Sequence, residues 1–206
     1  MQLNLKEHWE KVYQTKQPQE VSWTEETPET SLAFIQGFNL AKNASIIDIG
    51  GGDSKLVDYL LEEGYSDITV LDISEKSLER AKNRLGEKSK KVNWIVSDIK
   101  SFHPIRKYDL WHDRAAFHFL TTEEKVRSYL SIVRSCVKGY MIVGTFSTSG
   151  PNTCSGLSVK QYDDKELSKM FMDGFRKLKC LKVDHTTPFQ TKQSFTFCSF
   201  KSIAAR

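Results

Sequence analysis

IIDIGGGDSKLVDYLLEEG, from Ile46 to Gly64, decides how the rest of the chain is read. An apolar, strand-forming run ends at Ile49 and three glycines follow at once. Behind them Leu56, Val57, Leu60 and Leu61 recur at helical spacing until Gly64 stops the pattern. The stretch predicts strand, tight turn and helix. Gly50, Gly51 and Gly52 let the backbone take positive φ angles and let a ligand approach the main chain without meeting a Cβ. In an open parallel sheet such a turn lies at the carboxyl edge of its strand, where ligands bind.

The charges around the turn narrow the ligand. A diphosphate at a helix amino end wants bare N–H groups and no carboxylate nearby, yet Asp48 and Asp53 bracket this turn. The dinucleotide pattern G-x-G-x-x-G fails because Lys55 stands three after Gly52, and no G-x-x-x-x-G-K-[ST] is present. An acid-x-Gly-x-Gly turn suits a ligand that carries a positive group and no phosphate. Asp48, Gly50 and Gly52 match the acid and two glycines of the first motif of the class I S-adenosylmethionine-dependent methyltransferases, and the chain resembles that family.

Two further acids extend the resemblance. Strand two, predicted over Asp67–Leu71, ends in Asp72, whose carboxylate can accept from both hydroxyls of a ribose. Ser74 is the better cap for the helix behind it. Strand three, Val92–Val96, is followed by Asp98, which the resemblance sets against an adenine amino group and which alone reads equally as a turn. Acids at three successive strand ends mark one ligand edge. The resemblance implies cofactor contacts from Asp48, Gly50, Gly51, Gly52, Asp72, Ile73, Asp98 and Ile99, with S-adenosyl-L-methionine as the cofactor and no metal.

The leader, residues 1–44, is dense in aromatics. A helix over Leu5–Tyr13 puts Trp9 and Tyr13 on one face, and Trp23 follows. These rings either pin the leader to the core or form a lid, since aromatic faces attract a sulfonium by cation–π contact. The arrangement is similar to the leader of seven-strand protein-lysine methyltransferases, which adds Trp9, Tyr13 and Trp23 to the expected cofactor contacts. Thr27 as cap and Pro28 at the first helical position predict a second helix running to Phe38.

Strand four, Tyr108–His112, leads into WHDRAAFHFL. In class I enzymes this side faces the acceptor, so Asp113 is the expected catalytic residue, accepting an N–H bond that orients the nitrogen lone pair. Arg114, Phe117 and His118 are the expected substrate contacts; Arg114 also reads as a surface ion-pair partner and His118 as a core histidine. The N-P-P-aromatic motif of enzymes acting on nucleobase and glutamine amides is absent. The acid-x-x-tyrosine form of several protein-lysine enzymes is absent too, Phe117 standing four after Asp113.

A helix over Thr121–Cys136, a strand over Gly139–Phe146, a loop over Ser147–Tyr162 and a helix over Asp163–Met172 come next. The runs Arg176–His185 and Ser194–Lys201 read as a hairpin around Pro188. The predicted fold is α/β: a Rossmann-like, doubly wound seven-strand sheet, parallel with a C-terminal antiparallel hairpin. With 206 residues, 39% hydrophobic and 27% charged, the chain reads as one methyltransferase domain, 45–206 forming the core. No membrane-spanning run or signal core is evident, so a cytoplasmic location is expected. The net charge of +4 gives no nucleic-acid footprint. Cys136, Cys154, Cys180 and Cys198 show no C-x-x-C spacing and are expected as reduced thiols. A monomer or small homo-oligomer is expected. The function read from all this is methyl transfer to an amine acceptor, such as a protein lysine. The rivals are a small-molecule O-, S- or N-methyltransferase, a non-catalytic S-adenosylmethionine-binding module, and a nicotinamide-dependent oxidoreductase.

Overall fold

The computed structural model describes residues 4–203. Five parallel strands form its centre: β1 (Ser45–Ile49), β2 (Asp67–Asp72), β3 (Val92–Val96), β4 (Tyr108–Arg114) and β5 (Val137–Phe146). After a two-residue pair, β6 (Thr153–Cys154) and β7 (Leu157–Ser158), the strands β8 (Phe175–Thr186) and β9 (Lys192–Ser202) complete the sheet. Its order is β3-β2-β1-β4-β5-β9-β8, with β9 antiparallel to both neighbours. This is the predicted Rossmann-like seven-strand sheet with its closing hairpin.

Helices α1 (Leu5–Thr15) and α2 (Glu29–Gln36) belong to the leader; α3 (Leu56–Glu62), α4 (Glu75–Leu85), α5 (Glu123–Cys136) and α6 (Asp164–Phe171) follow. Every residue of β1 is buried, as a strand covered on both faces requires. Alternation along it sends Ile46 into a core shared with Leu32 and Ile35 of α2 and Leu56 and Leu60 of α3. Ile47 and Ile49 face the opposite core, with Tyr129 and Val133 of α5 and Phe171 of α6.

Local signals place most boundaries. Ser74 Oγ accepts from Ser77 N at 3.2 Å and caps α4, and Asp163 with Glu166 forms a reciprocal capping box on α6. Tertiary contacts shift others. Thr27 does not cap α2 through its side chain; its hydroxyl pairs with Tyr59 OH at 2.8 Å, and Pro28 sits one residue before the helix. The expectation of four reduced thiols is also corrected. Cys180 and Cys198 face each other across β8 and β9 and are joined as a disulfide, while Cys136 and Cys154 are free and buried. A pair made by cross-strand register has no signature in local spacing.

The core beside β4 is aromatic. Phe117 is fully buried, with ring centroids 4.8 Å from Tyr129, 5.3 Å from Tyr162 and 5.5 Å from Phe171. Phe117→Ala is expected to lower the unfolding free energy by about 3–5 kcal/mol, read by urea denaturation. A loss below about 1 kcal/mol would mean that this cluster collapses around the deletion.

Candidate active site

The turn after β1 and the carboxyl ends of β2, β3 and β4 border a cavity of about 570 Å³, roofed by the leader. Gly50 and Gly52 take φ of 64° and 45°, which only glycine adopts without strain. Gly51 has ordinary φ and is required for space, since a Cβ there would stand 2.5 Å from Asp48 Oδ2 and 2.8 Å from Val70 Cγ1.

Asp72 is buried at the end of β2, where its Oδ1 accepts from Ser74 N at 2.8 Å. Its Oδ2 lies on the glycine side, 3.0 Å from where a Cβ on Gly52 would be, and Tyr13 OH lies at the same distance. Burial pushes the Asp72 carboxyl up to about 7, against the bond from Ser74. Asp98 Oδ1 accepts from Lys100 N at 3.0 Å and its Oδ2 pairs with Lys100 Nζ at 3.1 Å. It therefore both forms the turn and lines the cavity, as do Ile73 and Ile99.

Asp48 and Asp53 are not the bare pair of charges that the sequence suggested. Asp53 is ion-paired with Arg84 of α4, and Asp48 Oδ1 meets His112 Nδ1 at 2.6 Å. With both carboxylates partnered, they oppose a diphosphate less than two bare charges would. His112 went unnoticed in the sequence, although β1 and β4 pair in register with Asp48 opposite His112. Only the strand order brings them together.

The leader closes one side. Trp9 packs edge-on against Trp23 at 5.6 Å and Phe119 at 5.3 Å, and Tyr13 lies 6.4 Å from Trp23; all four line the cavity. Distant polar contacts hold this segment. Glu10 accepts from Glu75 N at 2.7 Å and Lys76 N at 3.3 Å, so a leader carboxylate caps α4 and meets its positive end. Arg80 donates to Lys16 O at 2.6 Å. Arg114 donates to Trp23 O at 3.0 Å and pairs with Glu25 at 3.0 Å. His185 meets Ser22 O at 2.7 Å and Glu25 Oε1 at 3.3 Å. Burial tends to raise the Glu25 carboxyl, but His185 and Arg114 together hold it below the usual range.

Three expected acceptor residues lie elsewhere. Asp113 is wholly buried, and its carboxylate accepts from Ala116 N at 3.1 Å, Phe117 N at 3.0 Å and Tyr129 OH at 2.7 Å. It fixes the turn after β4 and has no route to an acceptor. Burial raises it to about 6. Phe117 faces the α5–α6 core for the reason already given. His118 is buried, its Nδ1 accepts from Phe146 N at 3.3 Å, and its Nε2 has no partner among the described residues. Burial drives this ring down to about 3, a neutral core histidine. Of the expected acceptor residues Arg114 alone lines the cavity, together with Glu25, Ser31, His112 and Cys154, which the sequence did not single out for binding. Burial raises the Cys154 thiol to about 11, against the nearby Arg114, so it is no thiolate nucleophile. Among the described residues no cluster of three metal-binding side chains occurs, and no helix is long and apolar enough to cross a membrane.

The sheet order, with its antiparallel closing hairpin, is that of the Rossmann-like methyltransferase fold. Residues 46–139 match the methyltransferase domain family. The chain is 25% identical over 158 residues to EEF1A lysine methyltransferase 2 of Danio rerio, covering 68% of each. It is 33% identical over 133 residues to malonyl-[acyl-carrier protein] O-methyltransferase 2 of Ilyobacter polytropus, covering 62% of this chain and 49% of that one. A structure of an S-adenosylmethionine-dependent methyltransferase from Anabaena variabilis superposes with a TM-score of 0.76 at 14% identity, over 98% of this chain and 96% of that one. Over residues 46–139 the chain carries a methyltransferase domain, and its sheet has the fold of S-adenosylmethionine-dependent methyltransferases.

The Asp72 carboxyl yields a signed prediction. Its folded value of about 7 lies above the unfolded 3.8, so between these limits the folded state holds a proton that the unfolded state has lost. Stability from this group therefore falls as pH rises through that window. Asp72→Asn is expected to raise the melting temperature of the ligand-free protein above pH 7, the gain vanishing toward pH 4 in differential scanning calorimetry. A gain independent of pH would contradict the burial argument.

Proposed function

We propose that this enzyme methylates an amine, with the lysine of a protein as the favoured acceptor. The supporting observation is a second cavity, about 550 Å³, that shares Glu25, Glu26 and Arg114 with the first and adds Glu29 and Asp184. Glu25 is held by Arg114 and His185 and Glu26 by Lys55, which leaves Glu29 and Asp184 as the carboxylates that would attract a cationic acceptor side chain. The similarity to a relative named as a lysine methyltransferase points the same way.

Residues of the first cavity fit the cofactor. Its volume lies within the ordinary range for small-molecule sites, Asp72 and Asp98 offer acceptors to a ribose and an adenine amine, and Asp48 offers a carboxylate to an ammonium. In this proposal Asp48, Gly50, Gly51, Gly52, Asp72, Ile73, Asp98 and Ile99 cradle the cofactor while Trp9, Tyr13 and Trp23 cover it, residues 1–44 acting as the lid of a single domain. When bound, S-adenosylmethionine supplies a methyl whose bond to sulfur breaks as the bond to nitrogen forms, the electron pair leaving with sulfur. The chain contributes orientation, exclusion of water and aromatic faces beside the cationic methyl donor. The cytoplasmic location expected from the sequence is part of the same proposal.

A carboxylate acceptor is the second reading, because Arg114 brings a guanidinium to the junction of the two cavities and one relative is named as an O-methyltransferase. Incubation with a lysate and S-adenosylmethionine carrying tritium in its methyl group separates the two. The amine reading predicts label in the protein fraction that survives mild base and appears as methyllysine after hydrolysis. Base-labile methanol indicates esters instead, and label confined to small molecules overturns the protein-lysine proposal.

A further inference from the structure

Three buried side chains from three separate elements form one hydrogen-bonded chain along the cavity wall. Asp48 of β1 lies 2.6 Å from His112 Nδ1 of β4, and His112 Nε2 lies 2.8 Å from Ser31 Oγ of α2. Asp48 is 3%, His112 3% and Ser31 1% exposed, and all three line the cavity. The roles within this chain follow from donor chemistry. A carboxylate only accepts, so Nδ1 carries the hydrogen; on the neutral ring Nε2 is then the acceptor and the Ser31 hydroxyl donates to it. A serine in a helix ordinarily turns its hydroxyl to the carbonyl one turn back. Ser31 instead spends it on a histidine of the sheet, at a position that lines the cavity.

An amine acceptor poses the problem that this chain can solve. A lysine ammonium has a pKa of about 10.4, so near neutral pH about one in a thousand is the free base able to attack. Asp113, the carboxylate first expected to serve the nitrogen, is consumed by the turn after β4. We propose that Ser31, His112 and Asp48 form a relay that takes the proton from the acceptor nitrogen, an inference that rests on the amine reading above. The ammonium passes its proton to Ser31 Oγ as the serine proton moves to His112 Nε2. The nitrogen keeps its electron pair, and the imidazolium rests against the Asp48 carboxylate until it returns the proton to solvent. The charged groups acting on His112 are Asp48 from β1, Glu25 from the leader, and Asp113 and Arg114 from its own strand.

The same contacts could serve merely to tie α2 to the sheet, and two measurements separate the roles. The first needs no acceptor. In protein labelled with ¹⁵N-histidine and saturated with S-adenosylhomocysteine, long-range ¹H–¹⁵N spectra at pH 8 are expected to show His112 as the Nδ1–H tautomer, with an Nε2 resonance that moves in Ser31→Ala. An Nε2–H tautomer, or an imidazolium persisting through pH 9, overturns the relay. The second uses whichever protein fraction takes up the tritiated methyl. His112→Asn keeps a donor for Asp48 but cannot take up a proton, and Ser31→Ala breaks the chain with a minimal change in volume. Each is expected to lower kcat by about 100-fold at pH 7.5, with a deficit that shrinks as pH rises and the free amine becomes abundant. A deficit unchanged with pH, or one matched by an equal loss of thermal stability, assigns the chain to tethering and overturns the relay. If no protein fraction takes up label, the amine reading fails and the relay with it, whereas label taken up as methyllysine with a pH-independent deficit in the variants overturns the relay alone.

Discussion

The hydrogen bond between Asp48 and His112 joins the two central strands where the sheet opens to its ligand edge. Parallel pairing of β1 with β4 puts these side chains in register, and the glycine turn can form only because nothing larger than hydrogen stands beside the Asp48 carboxylate. From His112 the bond continues to Ser31, so the leader helix α2 is positioned from the middle of the sheet. The acid of the glycine turn is thus the first member of a chain that reaches the roof of the cavity. A carboxylate buried to this degree persists because it is partnered, and its partner lies on the strand next to its own.

The roof depends on a second set of long contacts. Glu10 caps α4 from 65 residues away, and Arg114 and His185 hold the chain around Trp23 through Glu25 and two carbonyls. Exposed ion pairs contribute little, about 0–1 kcal/mol each. The Arg114–Glu25 pair is largely buried, and loss of one partner there would strand the other's charge. The leader is therefore latched by charge at the junction of the two cavities, where the acceptor is proposed to enter.

Local chemistry made the fold legible. Glycines after an apolar run, serine and aspartate caps, and two periods of hydrophobicity sufficed to place β1 to β5 and the closing hairpin. The acids Asp48, Asp72 and Asp98 were readable as one edge because each ends a strand. What stayed hidden depends on register and on distance in sequence. His112 lies opposite Asp48, Cys180 opposite Cys198, and Arg84 beside Asp53, and none of these pairs leaves a trace in spacing. Asp113, Phe117 and His118 misled for the opposite reason. Their types suit acceptor chemistry, but the turn after β4 spends the aspartate on two amides and a tyrosine and rotates both rings into the core.

The cavity between the glycine turn and the aromatic leader is the proposed cofactor site. A crystal structure with S-adenosylhomocysteine tests it most directly. The expected result is a nucleoside whose ribose hydroxyls meet Asp72, whose adenine amine meets Asp98, and whose sulfur lies beneath Trp9 and Trp23. Density for the ligand anywhere else, or a ribose that leaves Asp72 untouched, would contradict it.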